Sequence, residues 1–223
     1  MCSKRFFVFW GLWVLVFMNL PALATRQAGA YSQNDSRNII NSSIKGSDFE
    51  VVDIVFDTYV ALEIGNSTDG KVLLFEEENG EYKNAIQVRR TIEKDSLKLI
   101  NTKSLSFEFP QDKLSAHKVI NTSLKLLIPE GKKVIINVRE ATVLCEGSFE
   151  SIYVNQLSGT CKFKMIESDV TVVSVYADID FELSDLQNKQ ILRENQKMKF
   201  WFGKGARYSA DLQTIHGNIS LER

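Results

Sequence analysis

The chain has 223 residues, with 27 Lys and Arg against 28 Asp and Glu and a formal net charge of −1. This balance lacks the basic excess that is typical of nucleic-acid-binding proteins. Hydrophobic residues make up 44% of the sequence, which is enough to form the core of one domain or of a tight pair.

The N-terminus has the three-part layout of a secretory signal peptide. Lys4 and Arg5 precede an apolar run from Phe6 to Leu20, which is followed by the small-residue site Ala22-Leu23-Ala24. We therefore predict that residues 1–24 are removed. An uncleaved membrane anchor is the alternative, but an apolar run of about 15 residues is shorter than the roughly 20 that span a bilayer as a helix.

The chain after this segment is expected to be soluble and exported to the periplasm or the cell surface. Its balance is 25 basic against 28 acidic residues, a net charge of −3, and no later stretch is apolar enough to span a membrane. Residues 25–47 are rich in Ser, Asn and Gln, and we expect a flexible lead-in there. Ordered structure should begin near Phe49, and residues 48–223 should form the folded domain.

Short alternating or apolar runs fill the first half of this domain. They include "FEVVDIVF", "TYVALEIG", "KVLLFEE", "AIQVRRTIE", "SLKLI", "SLSFEF" and "SLKLLIP". Asn-Gly at 79–80 and the pair Pro129 and Gly131 are turn signals between such runs. The runs therefore predict β-strands.

A twelve-residue pattern recurs in the second half. It reads apolar-x-apolar-x-x-apolar-x-small-x-apolar-x-apolar, and it occurs at 152–163, 170–181 and 210–221. A weaker copy, 18 residues before the first, breaks the pattern only at Arg139. The alternation predicts strands, and the doubled x-x step predicts a corner between them.

This repeat predicts an all-β fold with stacked coils. A β-solenoid, or stacked β-strand repeat, is favoured because each coil would bury its apolar side chains against its neighbours. A β-sandwich is the alternative, because a period does not by itself fix how strands pack. Gly159, Ala177 and Gly217 follow the predicted corner, where a Cβ would crowd the turn or the next coil.

Two segments near the C-terminus depart from the repeat. Residues 184–195 are either a helix, with Ser184 and Gln187 at capping-box spacing, or a loop. The following "MKFWFGKG" alternates Met198, Phe200 and Phe202 on one face with Trp201 on the other, which predicts a strand.

The order of these elements resembles a known family. The opening "FEVVDIVFDTYVALEIG", the middle "LKLLIPEGKKVIINV" and the closing "LQTIHGNISL" are similar to the head-GIN-like "putative adhesin" domains of bacterial cell-envelope proteins, which are frequent in Bacteroidetes. The resemblance covers residues 48–223. It implies an exported all-β envelope protein, and it carries over no catalytic or ligand-binding residue.

The best candidate for recognition is the segment Trp201, Lys204 and Arg207. An exposed Trp beside two cations suits stacking on a sugar ring or packing on a protein partner. The alternative is structural, with Phe200 and Phe202 in the core and Trp201 covering an edge.

The two cysteines after residue 24 are expected to stay as buried thiols. In the 18-residue register, Cys145 and Cys161 are diagonal neighbours about 8 Å apart between Cα atoms. A disulfide needs less than about 7 Å, so a bond between them would require a local slip of register.

Other chemistry has weaker signals. Neither His117 nor His216 has Cys, Asp or Glu at metal-ligand spacing, so we expect no metal and no cofactor, and His216 should be an exposed residue beside a Gly corner. Asp178, Asp180 and Asp211 point outward, which suits a glycan-acting enzyme but is also usual on a solvated strand.

Three functions remain at this point. The favoured one is a non-enzymatic envelope module, an adhesin that binds a glycan or an envelope protein. A structural spacer without a ligand should have no exposed aromatic patch. A β-helical enzyme acting on polysaccharide should have charged side chains that converge in a groove.

Overall fold

A computed structural model describes residues 40–80, 85–104, 120–183 and 191–222. The predicted signal peptide, residues 1–24, and the lead-in up to residue 39 lie outside these ranges, as does His117. The strands are β1 Ile40–Lys45, β2 Val51–Phe56, β3 Val60–Asn66, β4 Lys71–Gly80, β5 Ile86–Glu93, β6 Ser96–Lys103, β7 Ile120–Ile128, β8 Lys133–Glu182, β9 Leu192–Glu194, β10 Lys197–Phe202, β11 Tyr208–Gln213 and β12 Ile219–Glu222.

The fold is all-β, as the sequence predicts. Twelve strands form one sheet that is not closed on itself, and a 3-10 turn at Gly46–Asp48 is the only helix in the described ranges. None of the described segments is a helix with the length and hydropathy of a membrane span. The sandwich alternative is compatible with this open sheet, and the solenoid stays a prediction at this point.

Parallel pairing around the long strand β8 organises the sheet. β2 lies between β6 and β8, and β3 lies between β7 and β8, with all of these pairs parallel. β11 and β12 also pair with β8 in parallel. The antiparallel pairs lie outside this group: β1 with β4, β4 with β7, β5 with β6, and β10 with β9 and β11.

Equivalent positions of the repeat lie next to each other. Ala210 pairs with Val170, and Ile219 pairs with Ile179, so the copy at 210–221 lies in register on the copy at 170–181. One copy earlier, the rings of Phe163 and Phe181 stack at 5.4 Å. The period seen in the sequence is therefore a period of contacts in space.

A further copy of this repeat lies in the first half of the domain, where the sequence pattern does not reveal it. In β2 and β3, Val52 pairs with Val134, and Leu62 pairs with Val143. The segment 52–64 thus lies in register on the weak copy at 134–145. One extra residue at its corner, around Asp57, shifts the second half and hides the pattern.

One part of the sequence interpretation is wrong. The third apolar position of the pattern was expected in the core, but Leu157 is 39% exposed and Ile215 is 51% exposed. Arg139, which seemed to break the pattern, occupies the same outward position. The preceding residue is buried instead, and it is polar in three copies: Gln156, Ser174 and Thr214.

The corner explains this exchange, because a bend leaves carbonyl groups that no strand neighbour can pair. Gln156 Nε2 donates to the carbonyl oxygens of Ala141 and Ser158, at 2.7 Å each. Thr214 Oγ1 donates to the carbonyl oxygen of Ala177 at 3.1 Å. The corner therefore needs a hydrogen-bonding side chain inside, and the apolar residue after it turns outward.

The small residues after the corner have the predicted role. A Cβ on Gly159 would lie 2.0 Å from the carbonyl oxygen of Ala141 in the preceding copy. A Cβ on Gly217 would lie 1.9 Å from the carbonyl oxygen of Ala177. Backbone therefore packs directly on backbone along this line of the stack.

Two segments at the edges of the predicted domain contain strands. β1 precedes Phe49 and pairs with β4, and Ile44 packs on the core. In the segment 184–195, residues 184–190 lie outside the described ranges, and Leu192–Glu194 form a short strand on β10 in place of a helix or loop.

Candidate functional site

A glycine-rich turn follows β10 and leads into β11. Gly203, Gly205 and Ala206 all have positive φ, at 77°, 72° and 55°, and the Ala206 N–H donates to the Gly203 carbonyl oxygen at 3.0 Å. A Cβ on Gly203 would lie 2.8 Å from the ring of Tyr208. The turn therefore brings its backbone close against an aromatic ring, and only glycine fits there.

A cleft of about 390 Å³ opens beside this turn. Its walls come from residues just before and just after the copy at 170–181, and from the β10–β11 hairpin. The lining residues are Ile166, Glu167, Glu182, Leu183, Phe202, Gly203, Lys204, Arg207 and Tyr208.

The base of the cleft is aromatic. Phe202 is 5% exposed, and its ring lies 5.8 Å from that of Tyr208, which is half-buried. Behind Phe202, the rings of Phe181 and Phe200 pack at 5.0 and 5.8 Å. These buried rings connect the base of the cleft to the hydrophobic core.

The mouth of the cleft is charged. Lys204 and Arg207 are exposed, and the Arg207 guanidinium lies 5.5 Å from the Tyr208 ring centroid, a cation–π distance. Glu167 is exposed and Glu182 is half-buried. Within the described ranges, neither Lys204 nor Arg207 forms an ion pair, so both cations remain available to a ligand.

A strained residue lies next to the cleft wall. Met165, which precedes Ile166, has φ of 44° and is 57% exposed. A left-handed conformation costs free energy for a residue with a side chain, and such residues gather at ligand-binding and catalytic sites. Met165 therefore places a strained backbone next to Ile166 of the cleft wall.

The three predicted recognition residues are divided between two surfaces. Lys204 and Arg207 line the cleft, whereas Trp201 does not. Trp201 is half-buried on the opposite side of β10 from Phe202, and the Lys199 amino group lies 5.9 Å from its ring centroid. The aromatic side chain that lines the cleft with the two cations is Tyr208.

Sequence reasoning missed Tyr208, Glu167 and Glu182. Tyr208 could have been found, because pairing β10 with β11 across the glycine-rich turn sets it opposite Phe202. The two glutamates could not, because they lie on either side of the copy at 170–181 and no sequence pattern links them.

The outward carboxylates hold neighbouring copies together. Asp169 accepts hydrogen bonds from the Ser209 N–H and hydroxyl at 2.8 and 2.9 Å. Asp178 accepts from the Asn218 N–H at 2.8 Å, and Asp180 accepts from the hydroxyl of the residue two further on, Ser220. Asp211 faces the Lys199 amino group at 3.6 Å.

Cys145 and Cys161 are buried thiols with no bond between them. The Cys161 thiol donates to Gln156 Oε1 at 2.9 Å. Burial raises the pKa of Cys161 to about 12, and burial followed by the neighbouring Cys161 raises the pKa of Cys145 further. Both thiols are therefore poor nucleophiles, because the reactive thiolate is scarce.

The described ranges hold no group of three His, Cys, Asp or Glu side chains that could bind a metal ion. His216 is exposed, as expected, and its ring stacks on Tyr176 at 5.0 Å and 17°.

Three solved structures are similar to the chain. A putative cell adhesion protein from Clostridium sporogenes has a TM-score of 0.49 and 11% identity, covering 83% of this chain and 99% of that one. A putative adhesin from Bacteroides fragilis has a TM-score of 0.28, 11% identity and coverages of 82% and 96%. A putative adhesin from Parabacteroides merdae has a TM-score of 0.24, 14% identity and coverages of 65% and 60%.

All three structures are described as adhesins or adhesion proteins, which is also the description of the family that the sequence resembles. No protein-family model and no curated protein matches the chain.

Proposed function

We propose that this chain is an exported, non-enzymatic β-repeat protein of the bacterial cell envelope that binds a glycan or another envelope protein. The observation that carries the proposal is the cleft, where Lys204 and Arg207 stand unpaired among the described residues above the aromatic base of Phe202 and Tyr208. A concave site with an aromatic floor and a few polar groups is the usual form of a binding pocket.

The proposed architecture is a β-solenoid. In-register pairing of 210–221 on 170–181, and of 52–64 on 134–145, supports coils stacked one on another. Such a stack has regular faces, and a binding residue on one coil is held by the coils on both sides.

Exposed aromatic rings favour a binding module over a spacer. A spacer predicts a surface without such rings, whereas Tyr176 is 57% exposed and Tyr153 is 40% exposed. The use of Asp169, Asp178 and Asp180 as hydrogen-bond acceptors between copies supports a structural role for these carboxylates and weighs against an enzyme.

Export to the periplasm or cell surface is part of the proposal. It rests on the predicted signal peptide at residues 1–24. The buried, protonated thiols of Cys145 and Cys161 are compatible with an oxidising compartment, because oxidation proceeds through an accessible thiolate.

We propose Lys204, Arg207 and Trp201 as the binding residues. The two cations of the cleft suit a carboxylate or phosphate group of the ligand, because the planar Arg guanidinium pairs such groups with two hydrogen bonds. Trp201 forms a separate contact on the outer side of β10, next to Lys199.

A glycan array and an envelope pull-down with residues 25–223 test this function. The matched variants are Lys204→Ala/Arg207→Ala for the cleft and Trp201→Ala for the outer face. Lys71→Ala/Arg89→Ala, which removes two exposed cations elsewhere, is the control for net charge.

Loss of binding in the cleft variant alone supports the cleft as the site, and loss in Trp201→Ala alone moves the site to the outer face of β10. If no glycan or envelope protein binds the unaltered chain, the spacer replaces the adhesin as the better account.

A further inference from the structure

An exposed aromatic pair lies at the corner of the last two repeat copies, away from the cleft. Tyr176 is 57% exposed, and one face of its ring stacks on His216 at 5.0 Å. The two residues hold equivalent positions, because Ala210 pairs with Val170 in the same register. The stacked rings therefore run along the direction in which the copies stack.

Tyr176 makes no second ring contact in the described ranges, and more than half of its side chain is exposed. The equivalent residue of the preceding copy is Ser158, 18 positions earlier in the sequence. The contact of Gly159 with Ala141 and the ring stack of Phe163 on Phe181 both follow this 18-residue register. The preceding copy has a short Ser side chain at this position in place of a third ring, so the row of stacked rings ends at Tyr176.

A planar polar pair lies beside the rings. Asp178 follows Tyr176 by two residues within β8, so both lie on the same face of that strand, about 6.6 Å apart between Cα atoms. Asn218 follows His216 by two residues in the bend between β11 and β12. The Asn218 N–H and side-chain amide donate to Asp178 Oδ1 at 2.8 and 3.2 Å. Asp178 Oδ2 and Asn218 Oδ1 have no partner among the described residues, so they can accept hydrogen bonds from a ligand.

We propose that this corner is a binding site for a neutral pyranose unit of a glycan. The C–H face of the sugar stacks on the face of the Tyr176 ring that is turned away from His216, and two of its hydroxyl groups donate to Asp178 Oδ2 and Asn218 Oδ1. An aromatic ring next to a fixed pair of planar acceptors matches the two sides of a sugar, which is apolar on its face and polar on its edge.

The charge of the corner selects the class of sugar. The Asp178 carboxylate repels uronic acids and sulfated or sialylated glycans, whereas the hydroxyl groups of a neutral sugar satisfy it. An apolar protein surface would bury Asp178 Oδ2 without a hydrogen-bond partner, at a cost in free energy. The observations thus favour a neutral sugar over a hydrophobic protein partner.

This site is distinct from the cleft and does not depend on Lys204 or Arg207. Failure of one can be told from failure of the other, because the cleft is tested by Lys204→Ala/Arg207→Ala and the corner by substitutions at Tyr176 and Asp178.

Isothermal titration calorimetry with four defined oligosaccharides tests the proposal. Cellohexaose, mannohexaose and chitohexaose are neutral, and hexagalacturonate is the anionic comparison. We expect at least one neutral hexamer to bind the unaltered protein and hexagalacturonate to bind at least ~10-fold more weakly, the ratio that one ring contact or one repelled charge produces.

The variants separate the ring from the hydroxyl of Tyr176. Tyr176→Ala should weaken binding of the neutral hexamer ~10-fold or more, whereas Tyr176→Phe keeps the ring and should stay within ~3-fold. Val173→Ala, at another exposed position of the same copy, should bind like the unaltered protein. Circular dichroism and thermal unfolding check that each variant is folded.

Asp178→Asn gives a second, independent readout. It removes the charge but keeps an acceptor oxygen, so it should bind the neutral hexamer and gain affinity for hexagalacturonate. The proposal is overturned if no neutral hexamer binds, if Tyr176→Ala binds as well as Tyr176→Phe, or if hexagalacturonate binds the unaltered protein as tightly as the neutral hexamers.

Discussion

Single atoms at the corner decide which residues the repeat can use. The amide of Gln156 and the hydroxyl of Thr214 bind carbonyl oxygens inside the corner, while Leu157 and Ile215 turn outward. The missing Cβ of Gly159 lets its backbone approach the carbonyl of Ala141. Corner positions therefore tolerate little change, although they lie close to solvent.

Replacing Gly159 by Ala should lower the free energy of unfolding by about 3 kcal/mol. The new Cβ would meet the Ala141 carbonyl oxygen at 2.0 Å, and φ of 116° adds strain for any residue with a side chain. Gly131→Ala is the control, since φ of 75° is strained there but no atom lies within 4 Å, and its cost should be about 1 kcal/mol. Equal losses in urea denaturation would show that the backbone contact is unimportant.

The two buried thiols should make stability depend on alkaline pH. An unfolded cysteine loses its proton near pH 9.0, whereas the raised pKa of Cys161 keeps the folded thiol protonated up to about 12. The unfolded state therefore binds fewer protons in this window, and stability falls as pH rises, by up to about 1.4 kcal/mol per pH unit for each thiol. Below pH 9 this contribution is complete.

Urea denaturation between pH 8 and 11 measures the effect. The Cys145→Ala/Cys161→Ala variant removes both thiols while leaving the lysines and tyrosines that also titrate in this range. Its stability should fall less steeply with pH than that of the unaltered protein, and parallel curves would contradict the assignment.

At the scale of strands, aspartate side chains accept hydrogen bonds from the last copy and link it to the copy before it. Asp169 binds Ser209, Asp178 binds Asn218 and Asp180 binds Ser220, each pair separated by 40 residues in the chain. These contacts join the two copies directly, and none of them involves residues 184–207.

Asp169→Ala should loosen this copy and lower the free energy of unfolding by about 1–2 kcal/mol, because two hydrogen bonds to a partly solvated carboxylate are lost. Amide hydrogen exchange should become faster in β11 and β12. In Asp211→Ala, loss of the 3.6 Å contact with the Lys199 amino group should cost at most about 0.5 kcal/mol. The same exchange rates in both variants would argue against a linking role for Asp169.

The strands themselves could be predicted from the sequence, and their neighbours only in part. Alternation gave β10 correctly, with Met198, Phe200 and Phe202 buried, because one face of that strand meets the core. The copy at 52–64 stayed hidden because one extra corner residue shifts its second half. The strand pairing reveals such a copy, because stacked copies are aligned by backbone hydrogen bonds and do not need uniform spacing in the sequence.

The candidate sites show the same limit. Lys204 and Arg207 could be predicted because they share one short turn with aromatic residues. The Tyr176–His216 pair could not, because 40 residues separate its members and the pattern alone does not show which copies touch.

At the scale of the whole molecule, spatial order differs from chain order. β2 lies between β6 and β8, and β3 lies between β7 and β8. The early strands therefore lie between strands that come later in the sequence. The two proposed sites lie on repeat copies near the C-terminal end of the chain. One is cationic at its mouth and the other carries the Asp178 carboxylate, so they suit ligands of different charge.

The pairing of β2 and β3 with β8 has a consequence for biosynthesis. Val52 and Leu62 reach their β8 partners only after Val134 and Val143 have been made, so one edge of β2 and of β3 stays unpaired while the ribosome adds the middle of the chain. Folds dominated by such distant contacts form slowly. Slow folding suits the proposed export, because a chain that is still extended can pass through a narrow secretion channel.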